Sequence, residues 1–279
     1  MRRLTPLALL LTIGLVLPGG CRQGVPVEPE LNVVTSTSLL GYIVQEVGGD
    51  DVDVSNMVPA AQHPGDFDPK PSDIQKLARA SLFMVHGWPG ETYVPEVVAA
   101  AHNPGLKVVT VSENGSWMTP PVQIAAAEKV AAALAEADPA HADLYWQRAA
   151  QYADRVRAKE AEADARLADG SVASVKAIAA VQQAGTAQWM GITVVGSYAS
   201  AEALTPQTVK DLVDKGRAAG VVLIIDNLHS GKDAGKGLAE ELGAKRVVLV
   251  YFPGGVDGAE TWEKALDYDV DQVLEAIAR

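Results

Sequence analysis

LNVVTSTSLLGYIVQEVGGDDVDVSNMV, residues 31–58, decides the architecture of this chain. Leu31 to Ser36 is a β-branched run that reads as a strand. Ser38 to Val47 has the length and apolar content of a helix and stops on Gly48 and Gly49. VDVSNMV, 52–58, reads as a second strand. Strand and helix in turn mean a parallel sheet with crossover helices.

The grammar continues outward. Pro71 and Asp73 open a helix over PSDIQKLARA. Strands follow at Ser81 to His86 and Leu106 to Val111, with a helix at Glu96 to Ala101 between them. From Val122 an alanine-rich helical region takes over, broken once at DPAHAD, Asp138 to Asp143. Beyond the break, Tyr145, Ala149, Tyr152, Val156, Ala163 and Leu167 recur every three, four or seven residues, one stripe of a helix reaching about Ala168. At about 1.5 Å per residue such a helix is roughly 45 Å long, more than one lobe needs. The pattern then repeats: strands are predicted at Lys176 to Val181, Thr193 to Val195, Val221 to Asp226 and Arg246 to Tyr251, and helices at Thr186 to Met190, Pro206 to Ala219, Gly231 to Leu242 and Glu260 to Ala278. The expected fold is α/β: two lobes, each a mainly parallel sheet flanked by helices, joined by one long rigid helix with a ligand cleft between them. The boundaries are 31–137 for the N-terminal lobe, 138–169 for the connecting helix and 170–279 for the C-terminal lobe.

Ahead of the lobes lies an address. Arg2 and Arg3, the apolar run from Leu7 to Leu17, and Gly19 and Gly20 have the form of a secretory leader over 1–20. Cys21, the only cysteine in the chain, stands at the junction in LVLPGGC. This resembles a bacterial lipobox, with Pro18 where leucine is preferred, and implies a lipidated Cys21 as the mature N-terminus. RQGVPVEPE, with Pro26 and Pro29, reads as an extended tether within 21–30. With its cysteine spent, the mature chain has no thiolate for a metal, which leaves nitrogen and oxygen donors. Losing Arg2 and Arg3 with the leader moves the formal charge from −12 to −14, which excludes nucleic acid as a natural partner.

In open parallel sheets ligands collect beyond the carboxyl ends of the strands. The loops there are Ser36 to Ser38, PAAQHPGDFDP (59–69), HGWPGE (86–91) and SENGSW (112–117) in the first half. The second half has Gln182 and Gln183, GSYASAEALTP (196–206), DNLHSG (226–231) and YFPGG (251–255).

With VVTSTSLLGYIVQEVGGDDVDVSNMVP, QHPGDFDPKPSDIQKLARASL, GAKRVVLV and the single long helix, the chain from about Leu31 to Ala278 resembles the metal-type solute-binding proteins of bacterial ABC importers. The resemblance implies a receptor that captures zinc or manganese outside the membrane and hands it to a permease with its ATPase. The family's ligand pattern is altered. Gly65 stands where D-P-H-x-Y/F-E-P has its histidine, and Gly115 where a histidine precedes V-W-L-D-P. Ala180, Gln182 or Gln183 takes the third histidine's place, and Val250 or Tyr251 that of the closing aspartate.

Two ligand sets follow. For a divalent metal, with zinc before manganese, the candidates are His63, His86, Asp226, His229 and Glu113, with Asp66 and Asp68 able to add oxygens. For a small organic ligand in an aromatic-lined cleft, the candidates are Trp88, Trp117, Tyr251 and Phe252 as walls and Gln182, Gln183, Asn227 and Ser36 as polar anchors. Tyr198 also falls in these cleft-facing loops, with Trp189 close to them on a helix. His102 and His141 read as solvated helix-end residues. No G-x-S-x-G elbow or glycine-rich phosphate loop is present; GKDAGKG at 231–237 lacks the P-loop order, so catalysis is not expected. The expected protein is a monomeric extracytoplasmic receptor, lipid-anchored to the membrane, with no catalytic cofactor and a divalent metal as cargo.

Overall fold

The computed structural model describes residues 31–278. The leader, Cys21 and the tether lie outside these residues. Two four-stranded sheets form, each wholly parallel. The first has strands β1 (Leu31–Thr35), β2 (Val52–Asn56), β3 (Leu82–Val85) and β4 (Lys107–Thr110) in the order β2-β1-β3-β4. The second has β5 (Lys176–Ala180), β6 (Thr193–Tyr198), β7 (Leu223–Asn227) and β8 (Lys245–Leu249) in the order β6-β5-β7-β8. The same order in both halves is the expected repeat.

Side chains alternate across each strand, and the buried residues divide accordingly. Val33, Leu82 and Met84 of the first sheet, and Ala177, Ala179, Leu223 and Ile225 of the second, face one continuous core. That core also holds α1 (Ser38–Gly48), α4 (Pro120–Ala137), α5 (Ala142–Asp169) and α9 (Trp262–Ile277). Their neighbours Val34, Phe83 and Val85 turn to a smaller core under α2 (Pro71–Arg79) and α3 (Val94–Ala101). Ile178, Ala180 and Ile224 turn to another under α7 (Pro206–Ala219) and α8 (Lys236–Leu242). Covered on both faces, the central strands are mostly apolar, with polar residues such as Asn32 and Lys176 near their starts and Asp226 and Asn227 at the end of β7.

The connecting helix is α5, and its predicted stripe of Tyr145, Ala149, Tyr152, Val156, Ala163 and Leu167 is buried throughout. Side chains also tie the lobes together. Trp262 Nε1 donates to the Met118 carbonyl at 3.0 Å, Tyr42 to Glu263 at 2.6 Å, and Ser38 to the Pro253 carbonyl at 2.8 Å. A shared core and these bonds leave little freedom for hinge motion.

Three boundaries differ from the sequence reading. α6 runs Val181–Trp189, starting directly after β5 rather than at Thr186, so Gln182 and Gln183 occupy its first turn. β6 continues to Tyr198 because its last residues pair with Ile178, Ala179 and Ala180 past an irregularity in register. α8 begins at Lys236, since the Asp226 carboxylate accepts the Gly235 N–H and holds the preceding loop as turns. His141 is also not simply solvated: its Nδ1 lies 2.5 Å from Asp138 Oδ2.

Asp269 in α9 is fully buried and accepts the Val250 N–H at 2.8 Å, while its other oxygen has no partner. Burial pushes its carboxyl well above the usual range. The native state therefore keeps a proton that the unfolded chain releases, and this contribution to stability is lost as pH rises above the ordinary carboxylate range. Asp269→Asn, which keeps the acceptor for Val250, is expected to raise the melting temperature at pH 8 more than at pH 4. Melting curves at both values check it.

Candidate functional site

The strand-end loops of both lobes converge on a cavity of about 440 Å³ between them. From the first lobe come His63, Pro64, Trp88, Pro89 and Gly90; from the second, Val181, Gln182, Asn227, Tyr251 and Phe252.

Trp88 forms the principal wall. One face stacks on His86, with centroids 3.6 Å apart and planes 4° from parallel, and Trp117 meets the pair edge-on. Tyr251 and Phe252 lie 6.1 and 6.3 Å from Trp88 across the lobe boundary. The turn carrying Trp88 is fixed by Glu91, whose buried carboxylate accepts the N–H groups of His86, Gly87 and Trp88 at 3.2, 2.6 and 3.0 Å. Glu91 had no assigned role in the sequence reading, although its place at the end of HGWPGE, where a carboxylate can cap a turn, was the available signal.

The five metal candidates do not come together. Asp226 is fully buried and saturated: Oδ1 accepts from Tyr198 and from the Gly235 N–H, and Oδ2 from Arg246 at 2.7 Å. Glu113 pairs with Lys129 at 2.7 Å. His86 spends Nε2 on Thr37 at 2.7 Å beneath Trp88. His63 lines the cavity, but its Nδ1 accepts the Gly65 N–H at 3.0 Å, so the neutral ring carries its proton on Nε2 and presents a donor. His229 is buried edge-on to Phe252, and neither ring nitrogen has a hydrogen-bond partner of normal geometry. Asp66 and Asp68 are exposed. Among the described residues, no group of three or more histidine, cysteine, aspartate and glutamate side chains is arranged to hold a metal ion.

The positions to which the resemblance assigns metal ligands are occupied by packing. Gly115 has φ +101°, a conformation that favours glycine over histidine. A Cβ on Gly185 would lie 3.0 Å from that of Ser116, and Ser116 and Thr186 hydroxyls bond at 2.8 Å, so α6 sits directly against the 112–117 loop. Val250, one candidate for the closing aspartate's position, is held by Asp269 at its N–H and by Gln183 at its carbonyl.

Of the residues read as an organic-ligand cleft, Trp88, Gln182, Asn227, Tyr251 and Phe252 line the cavity. Trp117 and Gln183 lie below it, at 1% and 0% exposure, and Ser36 is buried with them. Tyr198 packs in the second lobe's core. Val181, missed because the sequence reading ended a strand there, is 49% exposed at the cavity's edge.

Burial holds His86 well below the usual imidazole range. It also brings His229 down to about 4, against a smaller upward pull from the Ala60 backbone and with a further downward push from nearby His63. Both rings stay neutral in the native state while the unfolded chain takes up protons near pH 6.5. Stability is therefore expected to fall as pH drops from about 6.5 towards 4, with His229 contributing roughly 3 kcal/mol by the acid end. Urea midpoints at pH 7.5, 5.5 and 4.5 measure the slope, and His229→Phe should flatten it.

The two lobes, continuous connecting helix and cleft at the strand ends define a solute-binding protein. The chain belongs to the family described as zinc-uptake complex component A, periplasmic, whose model matches residues 33–276. It is 28% identical over 153 residues to the iron-binding protein YfeA of Yersinia pestis, covering 50% of this chain and 49% of that one. To the manganese ABC transporter substrate-binding lipoprotein PsaA of Streptococcus pneumoniae it is 24% identical over 156 residues, covering 48% and 50%. The chain thus spans about half the length of these relatives in the matched alignments. Among solved structures, the manganese-bound periplasmic metal binding protein from Candidatus Liberibacter asiaticus shares the fold with a TM-score of 0.77 at 18% identity, over 89% of this chain and all of that one. Among the described residues no helix is long and apolar enough to cross a membrane.

Proposed function

We propose that this chain is the extracytoplasmic receptor of an ABC importer, anchored through Cys21, that holds its cargo in the cavity beneath Trp88 and delivers it to a membrane permease served by an ATPase. The observation that carries this reading is the placement of the cavity. It lies at the carboxyl ends of both parallel sheets and takes walls from both lobes, where a two-lobed receptor retains its solute. Family membership favours a receptor without catalysis, and the cargo it favours is a divalent metal. Zinc stands before manganese because the nitrogen-bearing side chains nearest the cleft are imidazoles: His229, with neither ring nitrogen hydrogen-bonded, and His63, whose Nδ1 is already held by the Gly65 N–H. One receptor docking on one permease makes the monomer the working unit.

The test is a titration of the metal-stripped protein with zinc and with manganese, following the melting temperature. Binding to the native state alone raises it in a concentration-dependent way, by an amount equivalent to about 2.7 kcal/mol at a hundredfold excess over Kd. No shift with either metal in any form, free or chelated, contradicts metal as the cargo.

A further inference from the structure

The cavity is built for something larger than an ion. At about 440 Å³ it is the size of a pocket for a small organic molecule, and aromatic and aliphatic side chains make up most of its wall. A divalent ion gives up its hydration shell only for donors that replace it, about four for zinc and about six for manganese. The polar side chains at the wall do not supply them. His63 presents an N–H, as its bond from Gly65 requires. Asn227 is committed, its oxygen accepting from Gln183 at 3.0 Å and its nitrogen donating to Ser230 at 2.7 Å. Of the lining side chains this leaves the Gln182 oxygen, buried and unpartnered, and the Tyr251 hydroxyl, which already accepts the Trp117 N–H at 3.1 Å; His229, with both ring nitrogens unpartnered, lies behind the lining, so the set stays short of four donors at the wall.

From this we infer that the cargo enters the cavity as a flat organic chelate of the metal. The chelator supplies the donors that the protein lacks, places its ring system against the face of Trp88 opposite His86, and offers an oxygen to the His63 Nε2–H. The inference rests on the receptor reading and deepens it. It also accounts for residues that a bare-ion site would not use: the stacked His86–Trp88 pair, which stiffens one wall, and the three N–H bonds to Glu91 that hold the turn in place.

The test is calorimetric titration of the metal-stripped chain in three arms: zinc alone, pyridine-2,6-dicarboxylate alone, and their one-to-one complex. The complex is expected to bind at least roughly tenfold more tightly than zinc alone, the scale of one aromatic stacking contact with an added hydrogen bond, and at least roughly tenfold more tightly than the dicarboxylate alone, whose two negative charges enter a mostly apolar cavity without the metal that neutralises them. Trp88→Ala should weaken the complex by a similar factor. Because Trp88 also packs on His86, Val181→Trp serves as a second variant, filling the cavity from an exposed position; it should abolish binding without lowering the melting temperature of the unliganded protein. Zinc alone binding as tightly as the complex, unaffected by Val181→Trp, overturns the chelate and leaves the metal-receptor reading standing. The dicarboxylate alone binding as tightly as its complex also overturns it, since the metal is then dispensable. Silence in all three arms overturns the chelate and the metal-receptor reading together.

Discussion

Asp226→Ala is expected to cost about 3 to 5 kcal/mol and to unfold the second lobe at temperatures where the native protein is intact. The carboxylate is completely buried and is the common acceptor for Tyr198, the Gly235 N–H and Arg246. Removing it leaves the Arg246 guanidinium and a buried N–H without their partner, and breaking one side of a buried pair costs far more than the pair contributes. Arg246 also donates to the Lys232 carbonyl and to Asp233, so the loop between β7 and α8 loosens with it. Urea denaturation of the variant measures the loss. A variant that melts like the wild type but no longer binds metal would instead make Asp226 a ligand.

Trp262→Ala is expected to have a comparable effect for a different reason. This ring, on the first turn of α9, is 0% exposed and lies in the core shared by both lobes. Its indole donates to the Met118 carbonyl in the loop ahead of α4. Truncation opens a large cavity at the lobe junction and orphans that carbonyl, together worth about 4 kcal/mol, or a fall in melting temperature of about 10 °C for a protein of this size. Trp262→Phe, which keeps most of the volume, should lose about half as much. Calorimetric scans of both variants check the ordering, and an alanine variant within about 2 °C of the wild type would mean that the junction does not hold the lobes together.

The sequence made the sheets and the long helix legible because each depends on a local period. Leu31 to Ser36 and Val221 to Asp226 are short β-branched and aliphatic runs of the kind central parallel strands need, and the Tyr145 to Leu167 stripe repeats at helical spacing over many turns. The start of α6 was not legible: AVQQAG has no capping residue and reads as a loop, and the helix begins there because Gln183 finds buried partners in Asn227 and Val250.

The site was legible in its aromatics and obscured in its charges. Trp88, Tyr251 and Phe252 were placed by strand-end position alone, which fixes where a loop residue lies even when its neighbours are unknown. Whether Asp226 faces a ligand or its own lobe depends instead on Tyr198 and Arg246, 28 and 20 residues away in the chain. No spacing rule reaches that far. His63 is a local case: its use as a donor is set by the N–H of Gly65, two residues on, through a turn geometry that the residue types alone do not specify.

Cargo held between the lobes beneath Trp88 leaves a direct crystallographic signature. The most direct test is an anomalous difference map at the zinc absorption edge, from crystals of the protein grown with zinc and pyridine-2,6-dicarboxylate. The expected result is a single strong peak in the cavity bounded by Trp88, Tyr251 and His63. A peak at the packed junction of Gly115 and α6, or beside Asp226, would contradict it.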